Sequence, residues 1–152
     1  MAYLEKNTDA IDFELPNKNG DLIKLSDYKG KKIILYFYPK DNTKGCTLEA
    51  IDFKANLEEF KNKNAVVLGI SKDSVKSHCN FSDKYELNFD ILSDVESEVI
   101  KKYGVWQLKK NYGREYFGIV RTTYIIDEDF KIKEIYKVTK VKDHVNKILA
   151  NL

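Results

Sequence analysis

Cysteine and proline are scarce in this sequence of 152 residues, which contains two of each. Two cysteines are too few for the disulfide framework of a small secreted scaffold. The scarcity favours a reducing, cytoplasmic setting, where a cysteine is usually buried and inert, metal-binding or redox-active. The prolines, Pro16 and Pro39, stand at predicted boundaries between structural elements, and no proline-rich linker divides the chain.

Long apolar runs and a strong excess of one charge are also absent. No stretch approaches the ~20 apolar residues of a membrane span, and the N-terminus lacks the features of a secretory signal. The formal net charge is +2 and no basic stripe dominates, which argues against nucleic-acid binding. Only two of the 26 cationic residues, Arg114 and Arg121, can supply a planar guanidinium.

The remaining composition is that of an ordinary folded domain. Apolar residues make up 43% of the chain and charged residues 33%, with no internal repeat or low-complexity tract. We therefore expect one domain over residues 1–152.

The hydrophobic pattern predicts strands and helices in alternation, then a hairpin and a last helix. The predicted elements are an N-terminal β-hairpin around Asn19 and Gly20, buried strands at 31–38 and 64–71, helices at 46–62, 74–86 and 95–104, strands at 88–94, 121–127 and 131–138, and a helix at 141–152. The helix at 46–62 is expected to be amphipathic, with apolar positions at Leu48, Ile51, Phe53, Leu57 and Phe60. This order predicts an α/β fold with a mixed central sheet flanked by helices.

Cys46 follows a buried strand and a polar loop, close to a predicted helix start. The first N–H groups of a helix lack internal partners and the helix dipole is positive there, so both favour a thiolate. The thiolate is the reactive form of cysteine. The position is therefore suited to a nucleophilic sulfur, although a buried structural cysteine is the commoner finding.

The residues before Cys46 strengthen the chemical interpretation. Pro39 has no N–H and can shield a pocket, and the hydroxyl of Thr43 can donate and accept hydrogen bonds beside the sulfur. Separately, each residue has a simpler explanation, since Pro39 can form a turn and Thr43 can cap the helix. The combined spacing Pro-x-x-x-Thr-x-x-Cys is much less expected by chance than either residue alone.

With this active-site motif, the chain resembles the peroxiredoxins of the bacterioferritin-comigratory or PrxQ type. The resemblance is carried by YFYPKDNTKGCTLEA (36–50), AVVLGISKDSVKSH (65–78), ILSD (91–94), YGV (103–105) and YFGIVRTTYIID (116–127). It implies a thioredoxin-like fold and reduction of hydrogen peroxide or organic hydroperoxides by a cysteine thiolate, without a cofactor. It also implies reduction by thioredoxin or another thiol, and a monomer.

The resemblance assigns roles to individual residues. Cys46 matches the peroxidatic cysteine, and Pro39, Thr43 and Arg121 match the other active-site positions. Thr43, backbone amides and the Arg121 guanidinium are expected to stabilise the thiolate and the charge that develops on the leaving oxygen. Glu49 is expected to brace Arg121 or to cap the helix.

The sequence departs from many relatives at Ala50, where they carry a second, resolving cysteine. Cys79 is the only internal alternative. Other members resolve from this helix, although their cysteine falls one turn later, near Ser82. Helical phase places Cys79 on the flank of the apolar side. Either Cys79 resolves the Cys46 sulfenic acid, or an external thiol does so and Cys79 is a surface or filler residue.

Other functions remain as alternatives. A thioredoxin-like thiol-disulfide oxidoreductase would need Cys-x-x-Cys, but position 49 is glutamate. A non-catalytic thioredoxin-fold binding protein would not need the Pro39, Thr43, Cys46 and Arg121 set. No zinc site is expected, because His78, His144 and the cysteines match no known ligand spacing. His78 is instead expected at the edge of the core.

Overall fold

The computed structural model describes residues 2–152 of the chain. In chain order its elements are β1 (Glu14–Pro16), β2 (Leu22–Lys24), a 3₁₀ helix (Leu25–Tyr28), β3 (Lys32–Phe37), α1 (Lys44–Ala55), α2 (Leu57–Asn62), β4 (Ala65–Ser71), α3 (Val75–Tyr85), β5 (Asp90–Ser93), α4 (Glu98–Lys102), β6 (Trp106–Asn111), β7 (Arg114–Ile119), β8 (Thr122–Ile126), β9 (Ile132–Lys137) and α5 (His144–Ala150).

Five strands form a mixed central sheet in the order β5-β4-β3-β8-β9. Strand β3 runs parallel to β4, and β4 to β5, while β8 is antiparallel to both β3 and β9. Because α1 and α2 connect the parallel strands β3 and β4, the loop after β3 lies at the carboxyl end of the sheet. The predicted mixed α/β fold is confirmed, and so is the N-terminal hairpin, which β1 and β2 form.

Strand β3 is buried on both faces, which explains its continuous apolar run. Its side chains alternate between two core clusters on opposite faces of the sheet. Ile33, Leu35 and Phe37 belong to one cluster, and Ile34, Tyr36 and the following Tyr38 belong to the other. The second cluster also contains Cys46, so the thiol is part of the packed interior.

The prediction of a single amphipathic helix at 46–62 is wrong in two respects. The chain forms two helices, α1 and α2, which meet at Asn56. Leu48 and Ile51, predicted on the apolar side, are 43% and 39% exposed. Helix α1 instead buries a face that includes the charged residue Glu49. The apolar periodicity misplaced this face because a buried carboxylate contributes nothing to a hydrophobic pattern.

The hairpin of β6 and β7 was not predicted as an element. Tyr112 and Gly113 form its turn and both have positive φ, 52° and 76°, as a two-residue hairpin turn requires. The strands are largely exposed and rich in charge, so their sequence lacks a buried alternating face. The helix predicted at 95–104 is also shorter, because it is confined to Glu98–Lys102.

Among residues 2–152, no helix combines the length and apolar character needed to cross a membrane.

Candidate active site

Cys46 is the third residue of α1 and is 1% exposed. Thr43 occupies the N-cap position, but its hydroxyl does not cap the helix. It donates instead to the carbonyl oxygen of Lys40, at 2.8 Å. The exposed Thr43 oxygen therefore keeps its acceptor capacity, while its hydrogen is already engaged.

Arg121 brings together the sequence-predicted residues of the site. It lies between β7 and β8, and its Nη2 donates to the Cys46 sulfur at 3.3 Å. Its Nη1 donates to Oε1 of Glu49 at 2.7 Å. A fixed positive charge at this distance stabilises a thiolate. Gly45 provides space for the guanidinium, since a Cβ there would lie 3.1 Å from Nη2.

Glu49 is completely buried one turn after Cys46. Burial raises the pKa of this carboxyl to about 7, although the neighbouring Arg121 guanidinium acts in the opposite direction. Its second oxygen, Oε2, has no hydrogen-bond partner among residues 2–152. Of the two expectations for Glu49, the geometry therefore matches the bracing of Arg121, and the carboxylate remains only partly satisfied.

His144 is a member of this cluster that the sequence did not reveal as a site residue. Its Nε2 lies 3.6 Å from Oε2 of Glu49 and 3.1 Å from the hydroxyl oxygen of Thr123. Burial, with the charges of Arg121 and Lys147, lowers the pKa of His144 to about 4, so its imidazole is neutral at pH 7. No local motif connects His144 to Glu49, because the two residues are distant in the sequence.

Pro39 and Arg121 line a cavity of about 240 Å³ at the surface, together with Lys109, Lys137, Val120 and Val138. Lys109 donates to the carbonyl oxygen of Ile119 at 3.0 Å. Burial and the neighbouring Arg121 lower the pKa of this amine. Because Arg121 contacts both the cavity and the Cys46 sulfur, a small polar molecule in the cavity would lie near the thiol.

Cys79 is not part of this cluster. Its half-buried sulfur lies 3.7 Å from Oδ2 of Asp83 on the same helix, and both cysteines are free thiols. Cys79 lies on the flank of α3, whose inner side buries His78 and Phe81, as helical phase predicted. His78 lies fully inside the core rather than at its edge.

A second polar cluster surrounds His78. Asp41, Asp73 and His78 are the one group in residues 2–152 whose ligand atoms are close enough to bind a metal together. Each of these side chains is already engaged in hydrogen bonds within the protein. These bonds account for the cluster, and the expectation that the protein has no metal site stays a prediction.

Comparison with known proteins identifies the family. The AhpC/TSA family profile matches residues 7–135. Peroxiredoxin Bcp of Bacillus subtilis is 46% identical over 98% of this chain and 95% of its own length. A solved mutant of Xylella fastidiosa PrxQ has a TM-score of 0.93 and 33% identity, over 99% of this chain and 96% of its own.

A further structure comes from work on alkyl peroxide reduction by the Xanthomonas campestris bacterioferritin comigratory protein. It has a TM-score of 0.87 and 36% identity, and covers 91% of this chain and 88% of its own. The family expected from the sequence is confirmed by the profile and by relatives that align over nearly the whole chain. The chain therefore belongs to the AhpC/TSA family as a peroxiredoxin of the Bcp and PrxQ type, a thiol-dependent peroxidase.

Proposed function

We propose that Cys46 is the peroxidatic nucleophile of this enzyme, and that its substrates are hydrogen peroxide and organic hydroperoxides. The thiolate attacks one peroxide oxygen, an S–O bond forms and the O–O bond breaks. The other oxygen leaves with the bonding electrons and takes up a proton to give water or an alcohol. The contact of 3.3 Å between Arg121 Nη2 and the Cys46 sulfur is the observation that carries this proposal.

The other site residues have distinct proposed roles. Arg121 stabilises the thiolate and the negative charge on the leaving oxygen. Glu49 fixes the guanidinium through the 2.7 Å bond. The exposed oxygen of Thr43 accepts a hydrogen bond from the peroxide, because its own hydrogen is used by Lys40. Pro39 forms one wall of the cavity beside Arg121.

The product on Cys46 is a sulfenic acid, which a thiol must reduce before more peroxide oxidises it. We propose Cys79 as the resolving cysteine. Its thiolate attacks the Cys46 sulfur, an S–S bond forms, and the S–O bond breaks to release hydroxide, which is protonated to water. Thioredoxin or another thiol then reduces the disulfide. Direct reduction of the sulfenic acid by an external thiol is the alternative.

The broader properties of the protein are also proposals. We propose a cytoplasmic location, because a reducing cytoplasm supplies the thiol that the catalytic cycle consumes. We propose that the protein does not bind nucleic acid, and the near-neutral net charge of +2 supports this proposal. The chain is proposed to act as a monomer with one domain over residues 1–152. The relative studied for alkyl peroxide reduction supports the inclusion of organic hydroperoxides among the substrates.

A coupled assay with thioredoxin, its reductase and NADPH tests the role of Cys46. Wild type is expected to consume NADPH on addition of peroxide, and Cys46→Ser is expected to lose this activity completely because the nucleophile is absent. Cys79→Ser is the comparison variant, because it keeps the nucleophile and loses only the proposed resolving thiol: peroxide should still oxidise Cys46 to the sulfenic acid, whereas coupled turnover should fall. Undiminished turnover by Cys46→Ser would exclude the proposed mechanism, and turnover without peroxide would indicate a disulfide reductase.

A further inference from the structure

The loop between Pro39 and Thr43 contains a second buried carboxylate, that of Asp41, which is 5% exposed. Tyr38 at the end of the first central strand donates its hydroxyl to Oδ1 at 2.7 Å. Ser77 on α3 donates its hydroxyl to Oδ2 at 2.8 Å. The carboxylate of the active-site loop is therefore bonded both to the adjoining strand and to a separate helix.

The third partner of this carboxylate is His78, also on α3. Its Nδ1 lies 2.7 Å from Oδ2 of Asp41, and its Nε2 lies 3.0 Å from the carbonyl oxygen of Leu92. A carbonyl oxygen can only accept, so Nε2 must carry a hydrogen. A second proton must then lie between Nδ1 and Oδ2, since two acceptors cannot approach so closely without one. The contact is therefore either a charge-assisted hydrogen bond from an imidazolium to a carboxylate or a neutral hydrogen bond from a carboxylic acid to an imidazole, and both are strong.

The backbone strengthens the same connection. The N–H of Asp41 donates to Oδ2 of Asp73 at 2.9 Å, and Ser71 donates its hydroxyl to the same oxygen at 2.6 Å. Asp73 lies just before α3. We call the bonds from Ser77 and His78 to the Asp41 carboxylate the Asp41 latch, because they join the loop before Cys46 to the first turns of α3.

Cys79 directly follows the two latch residues of α3. It cannot form a disulfide where it stands, because its sulfur lies beside Asp83 whereas that of Cys46 is buried against Arg121. The Cβ atoms of a disulfide lie about 3.8 Å apart, so one or both helix segments must move. Movement of the backbone at Cys79 displaces its neighbours in α3, and the latch then opens.

We infer that Asp41 is a positioning residue for the resolving step and that the latch sets the fate of the Cys46 sulfenic acid. This inference rests on the proposed resolution by Cys79. While the latch is closed, Cys79 is held away and a second peroxide can oxidise the sulfenic acid to sulfinic acid, with release of water or alcohol. When the latch opens, Cys79 attacks, and the disulfide forms with loss of hydroxide from Cys46.

Two hydroxyls on the same carboxylate provide a matched test. Ser77→Ala removes a bond between the loop and α3, whereas Tyr38→Phe removes the 2.7 Å bond between the loop and its own strand and, with it, only a longer 3.4 Å contact of the tyrosine hydroxyl with His78 Nδ1. Both leave the Asp41 carboxylate with two side-chain donors. Alanine also has the higher helix propensity, so its intrinsic effect opposes opening of α3. Faster resolution in Ser77→Ala could not then be attributed to a weaker helix.

The readout is the ratio of Cys46–Cys79 disulfide to Cys46 sulfinic acid after a pulse of excess peroxide, measured by peptide mass spectrometry. This ratio depends only on steps that follow sulfenic acid formation. Loss of one hydrogen bond shifts an opening equilibrium by about three- to tenfold. We expect Ser77→Ala to raise the ratio by that factor and Tyr38→Phe to leave it close to wild type. Amide exchange in α3 should increase in Ser77→Ala more than in Tyr38→Phe.

The possible results separate this inference from the proposal beneath it. If wild type forms no Cys46–Cys79 disulfide, resolution by Cys79 is wrong and the inference fails with it. If wild type forms the disulfide but Ser77→Ala does not raise the ratio, only the inference fails. An equal rise in both variants, or a rise without faster exchange in α3, also overturns the latch.

Discussion

Two buried carboxylates lie close to Cys46 in the sequence, and their surroundings differ. Asp41, in the preceding loop, is hydrogen-bonded to three side chains. Glu49, one turn after the cysteine, accepts from the Arg121 guanidinium through one oxygen, while the other oxygen has no hydrogen-bond partner in the described part of the chain. The first carboxylate has a full set of partners, whereas the second has a strong ion pair but incomplete hydrogen bonding.

This difference separates two uses of buried charge. A fully bonded carboxylate holds a fixed geometry, because movement breaks several bonds together. A carboxylate that lacks partners is costly to ionise, and burial accordingly raises the pKa of Glu49 to about 7. Asp41 is therefore suited to position the loop and α3, and Glu49 is suited to set the charge around Arg121 and Cys46.

The largest effect is expected when the guanidinium between Glu49 and Cys46 is removed. Arg121→Gln keeps some hydrogen-bonding capacity but loses the positive charge beside the sulfur. We expect the second-order rate constant for peroxide reduction to fall by about 10²–10³-fold, as when one donor to a developing oxyanion is lost. Stopped-flow measurement with hydrogen peroxide checks this value.

Arg114→Gln is the matched control for this prediction. Arg114 is the other arginine of the chain and lies exposed on β7. The same charge is removed, so a general effect of net charge on the reaction would appear in both variants. A comparable loss of rate in Arg114→Gln would contradict the proposed local role of Arg121.

A smaller effect is expected at the other carboxylate, and it concerns stability. Asp41→Ala leaves the buried Tyr38 and His78 and the half-buried Ser77 without their common hydrogen-bond partner. We expect the free energy of unfolding to fall by about 3 kcal/mol, as when one partner of a buried pair is removed. Urea denaturation followed by circular dichroism measures the change.

Asp41→Asn is the conservative variant for the same site. The amide can donate to Nδ1 of a neutral His78, whose Nε2–H continues to bond the Leu92 carbonyl oxygen. Most of the bonds survive without charge assistance, so we expect a loss of only about 1 kcal/mol. Equal losses in the two variants would show that the hydrogen bonds of this carboxylate are not what stabilises the loop.

The sequence was most informative where structure depends on local signals. The continuous apolar runs at β3 and β4 predicted strands buried on both faces, and the turn at Gly20 predicted the N-terminal hairpin. The hairpin of β6 and β7 was missed because its strands are rich in charge and largely exposed, so their apolar residues do not mark a buried face. The buried face of α1 was misplaced because Glu49 is buried through a partner that lies far away in the sequence.

The same limit applies to the site. The spacing of Pro39, Thr43 and Cys46 was visible because these residues share one loop and one helix start. The resemblance to peroxiredoxins supplied Arg121. Neither source indicated that His144 contacts the Glu49 region, or that His78 binds Asp41. Both contacts join distant segments through side-chain geometry, which leaves no periodic trace in the sequence.

The smallest predicted effect concerns how Glu49 and His144 influence stability as pH changes. The folded pKa of Glu49, about 7, lies above its ordinary value of 4.5, so between these values the folded state binds more protons than the unfolded state. This contribution makes the free energy of unfolding decrease as pH rises. The folded pKa of His144, about 4, lies below its ordinary 6.5, so its contribution increases with pH in that window.

The two contributions oppose each other between pH 4.5 and 6.5, the range common to both windows. Glu49→Gln should remove the decreasing contribution, so the free energy of unfolding rises more steeply with pH than in wild type. His144→Gln should change the slope in the opposite sense. Each slope can differ from wild type by at most about 1.4 kcal/mol per pH unit.

Urea denaturation at three pH values in this range measures the slopes, and Glu58→Gln on the exposed face of α2 is the control. Because all other titrating groups are common to the variants, equal slopes in Glu49→Gln and His144→Gln would show that this carboxyl and imidazole do not titrate as a buried pair.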